Sequence, residues 1–209
     1  MKLDKNQQKQ LINAIHVSLS RRGYKEKTNS IYKVKDNAFI HCDFLVVNSQ
    51  KLIYRIYVKN YIYDDIFWKV MQMPTNSKKN DSLRACGAFK APSILLNKGE
   101  FELTDKFEEQ AEYLLRLVDE CSHNFMEKYD IDEYIIDYED GVYKEMLKCL
   151  AYIHMNNIEE AIKIAQDSIN NGNKGNHENG GKAFFEWILM LCKTGDGDMS
   201  CSKRQNSNF

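Results

Sequence analysis

The stretch NSIYKVKDNAFIHCDFLVVNSQKLIYRIYVK (Asn29–Lys59) decides the fold. Its apolar residues recur at every second position, and β-branched and aromatic side chains dominate it. Turn-prone Lys35-Asp36-Asn37 and Asn48-Ser49-Gln50 divide it into Asn29–Lys35, Ala38–Val47 and Leu52–Lys59. Side chains alternate across a pleated strand, so this pattern predicts an antiparallel meander with one face buried. Ile40, Cys42, Phe44 and Val46 share one face with Leu52, Tyr54, Ile56 and Val58, and His41 and Asp43 share the other with Arg55, Tyr57 and Lys59. A three-residue loop at Asn48-Ser49-Gln50 then sets Asp43 opposite Arg55 and His41 opposite Tyr57.

The flanks switch to the helical period. From Asp4 to Arg22, Leu11, Ile12, Ile15 and Leu19 form one stripe, and Gly23 stops it. Tyr61–Met73 carries Ile62, Ile66, Phe67, Val70 and Met73 on one side, with Pro74 ending it. Polar Thr75–Arg84 reads as a mobile surface loop, and Ala88–Leu96 and Glu100–Leu103 read as a second hairpin turning at Asn97-Lys98-Gly99. Asp105 with Glu108 resembles a capping box opening a long helix that runs to Tyr129. Asp130–Asp140 reads as an acidic turn, followed by helical patterns at Tyr143–Met155, Ile158–Asn170 and Lys182–Lys193, with Asn170 to Gly181 a flexible connector. The expected fold class is α+β: an antiparallel sheet of about five strands packed by helices, with a C-terminal three-helix extension. The implied partition is 1–136 as the α+β domain, 137–193 as the helical extension and 194–209 as a disordered tail.

Composition narrows the function classes. Lys and Arg total 29 against 30 Asp and Glu, a formal net charge of -1, so the chain lacks the global positive field with which nucleic-acid binders recruit phosphate. Tyr54, Tyr57, Tyr61 and Tyr63 among Arg55 and Lys59 form a base-stacking pattern, but near-neutral charge weighs against that use. The charged N-terminus and the lack of a long apolar run imply neither a signal peptide nor a membrane span. Cys42, Cys86, Cys121, Cys149, Cys192 and Cys201 have no CxxC spacing and read as free thiols of a cytoplasmic protein. No metal and no cofactor is implied: Cys121 with His123 lacks zinc-knuckle spacing, and the acidic run fails the calcium-loop pattern at Tyr134 and Ile135.

Two sets of residues are candidates for binding. His41, Asp43, Arg55, Tyr57 and Lys59, joined by Arg84 from the loop, form a polar face for an anionic or hydrogen-bonding ligand or for a protein. The alternative for the same residues is a solvated sheet face with an ordinary cross-strand salt bridge. Asp130, Asp132, Glu133, Asp137, Glu139 and Asp140 form an acidic docking patch for a basic partner, or else a solvated linker.

LAYIHMNNIEEAIKIAQDSI (Leu150 to Ile169) resembles part of a tetratricopeptide hairpin, with Tyr152, the Asn156-Asn157 turn and Glu159-Glu160-Ala161 opening the second helix. Ala165 and Asn173 stand where that family has later aromatic and proline positions. The resemblance implies a peptide-binding helical pair, although a solenoid needs about three repeats and one is present. LSRRGYKEKTNSIYKV and SLRACGAFKAP resemble bacterial domain-of-unknown-function families that open with a helix, a Gly-Tyr turn and a basic hairpin. That resemblance brings no activity with it; a single modest α+β domain, a repeat-like hairpin and the absence of catalytic signatures lead instead to the expectation of a non-enzymatic interaction or immunity-type protein with a protein partner. A small-ligand-binding domain or an enzyme built on the polar sheet face is the alternative from another class.

Overall fold

The computed structural model describes residues 2–193, and the tail expected to be disordered lies outside them. The chain is α+β, with eight helices and a five-stranded antiparallel sheet among the described residues. Two compact units divide it: 1–61, 80–88 and 93–131 form the sheet-bearing unit, and 62–79, 89–92 and 132 onward form the helical unit. The helical unit thus takes in two segments that lie inside the span 1–136.

The sheet-bearing unit opens with α1 (Lys5–Arg21). Asp4 caps it by accepting from the backbone N–H groups of Asn6 and Gln7, and the Gln7 side chain accepts from the Asp4 N–H, a complete capping box. Gly23, at φ 71°, supplies the left-handed turn that ends the helix. The strands β1 (Lys25–Lys27), β2 (Ser30–Lys35), β3 (Ala38–Val47), β4 (Lys51–Asn60) and β5 (Ile94–Glu102) lie in sequence order across the sheet. Asn48 and Ser49 take φ of 51° and 59°, which turns β3 tightly into β4. The register is the expected one, with His41 opposite Tyr57 and Asp43 opposite Arg55.

One face of the sheet carries the main core. Ile31, Ile40, Cys42, Leu52, Ile56 and Val58 are sealed there, and α1 and α4 (Phe107–Lys128) pack over them with Leu11, Ile15, Leu114, Leu115 and Val118. Burying a side chain of this kind contributes roughly 1.5–3 kcal/mol, so this layer dominates the unit's stability.

Three local expectations are corrected. Residues 97–99 do not turn: β5 runs unbroken through them along β4, with a register shift opposite Ile56/Tyr57. Gly99 lies opposite Tyr54, and a Cβ there would come 2.6 Å from the tyrosine oxygen and 2.9 Å from Cζ, so this glycine makes room for a cross-strand ring and keeps an extended backbone. The long helix begins without a side-chain cap, since Lys106 occupies that position; Gln110 reaches back to the Thr104 N–H and the Glu102 carbonyl. Finally, 75–84 is not a bare loop. It holds a 3-10 turn (Pro74–Lys78) and leads into the short helix α3 (Ser82–Cys86), which packs on β1 and β2.

The helical unit consists of α2 (Tyr63–Val70), α5 (Ile131–Ile136), α6 (Lys144–His154), α7 (Ile158–Asn170) and α8 (Phe184–Lys193), with a two-residue hairpin at Glu178–Asn179 and Lys182–Ala183. Asn156, at φ 61°, turns α6 into α7, and the Asn157 side chain accepts from the Glu160 N–H to start the second helix. Ala161 and Ala165 are fully buried on α7, and small side chains there let α6 approach closely. The acidic run that reads as a turn is helical through Ile136, because Ile131 and Ile135 are buried one turn apart. Asp132 is buried with them, accepting from the Tyr63 hydroxyl at 2.6 Å and lying 2.7 Å from His154 Nδ1.

Candidate functional site

The polar face of the sheet exists, but it is two regions. At its covered end, Tyr32, Phe39 and Ala85 form a small apolar cluster under α3, with Tyr61 packed against it. His41 is 1 % exposed, Lys59 0 % and Arg84 1 %, so three of the residues expected at a solvent-facing site are interior. Sequence alternation put His41 and Lys59 opposite the main core, whereas Arg84, expected on a mobile loop, lies in a short helix. The second layer that buries them comes from a segment about forty residues downstream of β3, whose polarity reads as a loop.

His41, Lys59 and Arg84 each meet internal polar or aromatic groups, although the His41 Nδ1 atom is beyond hydrogen-bond distance of Asp43. The His41 ring stacks on Tyr57, with centroids 4.8 Å apart and planes 16° apart, and its Nε2 lies 3.2 Å from Ser93 Oγ. Its Nδ1 lies 3.7 Å from the nearer Asp43 oxygen, and that same oxygen accepts from the Ser30 hydroxyl at 2.7 Å. Lys59 Nζ donates to the Arg84 carbonyl at 3.0 Å and sits 5.5 Å from the Phe39 ring centre. The Arg84 guanidinium lies 3.9 Å above the Tyr61 ring and donates to the Tyr61 carbonyl. Burial pushes the Tyr57 hydroxyl pKa up, against a hydrogen bond from Arg55 that pulls it down.

The other end of the face is open. Leu45 is 54 % exposed, and its cross-strand neighbour Ile53 is half-buried. One pleat inward lie Asp43 and Arg55, and on β5 the adjoining row continues with Lys98 and Glu100. An apolar pair is thus framed by charges of both signs.

The acidic patch is dispersed by the fold. Asp132 is buried, whereas Asp130, Glu133, Asp137, Glu139 and Asp140 are exposed. Glu139 is held by Lys144, at 2.8 Å, and by Lys148, and these hydrogen bonds bring its carboxyl down to about 2. Ser93 and the lysine pair at 144 and 148 were not read as site residues from sequence, since each meets its partner only through tertiary packing.

Among the described residues no helix is long and apolar enough to cross a membrane, and no group of three or more His, Cys, Asp or Glu residues could hold a metal ion. Cys42 and Cys149 are buried free thiols and Cys86 is an exposed one, while the thiols of Cys192 and Cys201 lie outside what is described. No family model, no curated protein and no solved structure matches this chain.

Proposed function

We propose that this chain works by binding another protein through the open end of its sheet face, around Leu45 and Ile53. The observation that carries this reading is the contrast within one face. The groups an enzyme or small-ligand site would use, His41, Lys59 and Arg84, are interior and internally partnered, whereas an apolar pair framed by Asp43, Arg55, Lys98 and Glu100 stays open. An apolar centre with a charged rim is the anatomy of a protein interface.

Strand addition at an edge is a poorer fit. β1 has three residues, and β5 carries Lys98, Glu100, Glu102 and a register shift, devices that blunt an edge against pairing. The test is affinity capture with the full chain as bait. Wild type and Val142→Asp, a control at an exposed site on the helical unit, are expected to retain the same stoichiometric protein. Leu45→Asp is expected to weaken its retention at least about tenfold, the loss typical of a truncated interface anchor. Equal retention by Leu45→Asp sinks the reading.

The Ser93, His41 and Asp43 arrangement favours a second reading, acyl transfer at Ser93 with His41 as base. It demands that a fluorophosphonate probe label Ser93 in the folded chain and that His41→Gln abolish the labelling. Protection of Ser93 in the wild type excludes it.

A further inference from the structure

The segment 171–182, which joins α7 to α8 and reads as a flexible connector, is a strap pinned at its middle. Gly172 and Gly181, at φ of 79° and 74°, give it a hinge at each end. Asn179 Nδ2 donates to the Met71 carbonyl at 2.7 Å, and Trp187 Nε1 on α8 donates to the Asn179 carbonyl at 3.0 Å. The Phe184 and Phe185 amides donate to the carbonyls of His177 and Lys174. Between these ties the His177 ring sits among aromatic side chains. Its centroid lies 5.0 Å from that of Phe67, with the planes 80° apart, 6.0 Å from Phe89 and 6.3 Å from Tyr143. The ring's Nδ1 is buried there and has no hydrogen-bond partner among the described residues. In a neutral ring with its proton on Nε2, that atom is only an idle acceptor. Protonation would make it a charged donor with nothing to receive it, the costlier condition by far.

None of the charged groups on the surrounding elements accepts from this atom. On α2 they are Asp64, Asp65 and Lys69, and Asp64 accepts from the Ala91 N–H at 2.8 Å. Lys90 follows Phe89, and Lys144 and Glu145 follow Tyr143. On the strap and α8, Lys174 pairs with Glu186 at 3.1 Å, Lys182 lies over the Trp187 ring, and Glu178 is exposed. Burial alone holds the His177 pKa below the ordinary histidine value.

We infer that the strap is a proton-released latch: neutral His177 docks among Phe67, Phe89 and Tyr143, and protonated His177 leaves, freeing the strap and opening that aromatic pocket. Because docking depresses the pKa, its stability is fully present above the released value of about 6.5 and is lost as pH falls through the docked one. The latch lies within the helical unit and does not depend on the open face around Leu45.

The experiment is hydrogen exchange on the full chain at about pH 7.5 and about pH 5, with rates corrected for their intrinsic pH dependence. The Phe184 and Phe185 amides report the strap directly, since they donate to its carbonyls. Their protection is expected to fall roughly tenfold for each unit by which docking lowers the His177 pKa, while the amides of α7 hold theirs. His177→Phe keeps a ring in the pocket with no proton to gain, so its protection should be the same at both pH values. Unchanged protection in the wild type overturns the inference. So does an equal acid loss in His177→Phe, which would place the titrating group elsewhere, or a loss that spreads equally to α7, which would make it global unfolding. A second measurement needs no variant: NMR titration of the His177 ring in the wild type should give a pKa below about 6.5, and a value at or above it overturns the latch.

Discussion

Replacing Asp119 by alanine is expected to destabilise the sheet-bearing unit by about 2–3 kcal/mol. This carboxylate on α4 accepts from Arg22 Nη1 at 2.9 Å, from the Tyr24 hydroxyl at 2.8 Å and from Lys33 Nζ. It thereby ties α4 to the segment after α1 and to β2. Tyr24 is buried, and the Lys33 ammonium also lies 4.1 Å from the Tyr24 ring centre, so removing the acceptor leaves a buried hydroxyl and a half-buried cation facing each other unpaired. The figure sits below that for a fully buried pair because the Asp119 and Arg22 side chains are about a third exposed and water screens them. A chain of this length should lose roughly 5–10 °C in melting temperature, read by urea and thermal unfolding together. Asp119→Asn, which keeps an acceptor, should lose less.

The same site sets an acid limit. Burial alone pushes the Asp119 carboxyl up, but the hydrogen bonds from Lys33, Tyr24 and Arg22 outweigh it and hold the pKa below the usual value. Because the folded pKa is depressed, the contribution is fully present above about pH 4, the unfolded value, and is lost as pH falls through the folded one. The wild type should therefore lose stability in that acid range more steeply than Asp119→Ala does. Parallel acid-unfolding curves for the two proteins, or an alanine variant within about 0.5 kcal/mol of wild type, would show that the cluster is ordinary surface pairing.

How much of this was legible depends on the range of the interactions. The meander and its register follow from alternation and turn residues within about thirty positions, so Asp43 opposite Arg55 and His41 opposite Tyr57 could be read directly. The α1 cap is equally local, because Asp4 and Gln7 are three residues apart. The mistaken hairpin at 97–99 shows the limit. Asn-Lys-Gly has the composition of a turn, but the Tyr54 ring claims the space over Gly99, and that ring belongs to another strand. Alternation likewise divides the faces of a sheet without telling which face is later covered. His41 and Lys59 lie on the side opposite the main core, as read, yet α3 closes over that side. The Asp119 cluster left no local signal at all, since its partners lie 86 to 97 residues away.

Arg84 tests the same distinction between a reaching side chain and a structural one. As the tip of a mobile loop it would be dispensable for stability, and Arg84→Ala would unfold within about 0.5 kcal/mol of wild type, as surface substitutions do. The structure leads to the opposite expectation, a loss of about 3 kcal/mol. The guanidinium stacks 3.9 Å above Tyr61, donates to the Tyr61 carbonyl at 3.0 Å and lies 3.5 Å from Asp81, which in turn accepts from the Tyr61 hydroxyl at 2.8 Å. Alanine removes the stacking surface and leaves that carbonyl short of a donor. It also loosens the helix whose carbonyl at this residue accepts from buried Lys59. Arg84→Lys should recover less than half of the loss, because an ammonium keeps the charge but not the planar fork. Hydrogen exchange separates a local from a global effect. If α3 is a lid over Tyr32, Phe39 and His41, Arg84→Ala should speed exchange in Ser82–Cys86 and along β2 far more than in α1 and α4, which pack on the opposite face. Uniform acceleration across the unit would show that Arg84 supports the whole core, and unchanged exchange in α3 would return the residue to the surface role that its sequence neighbours suggest.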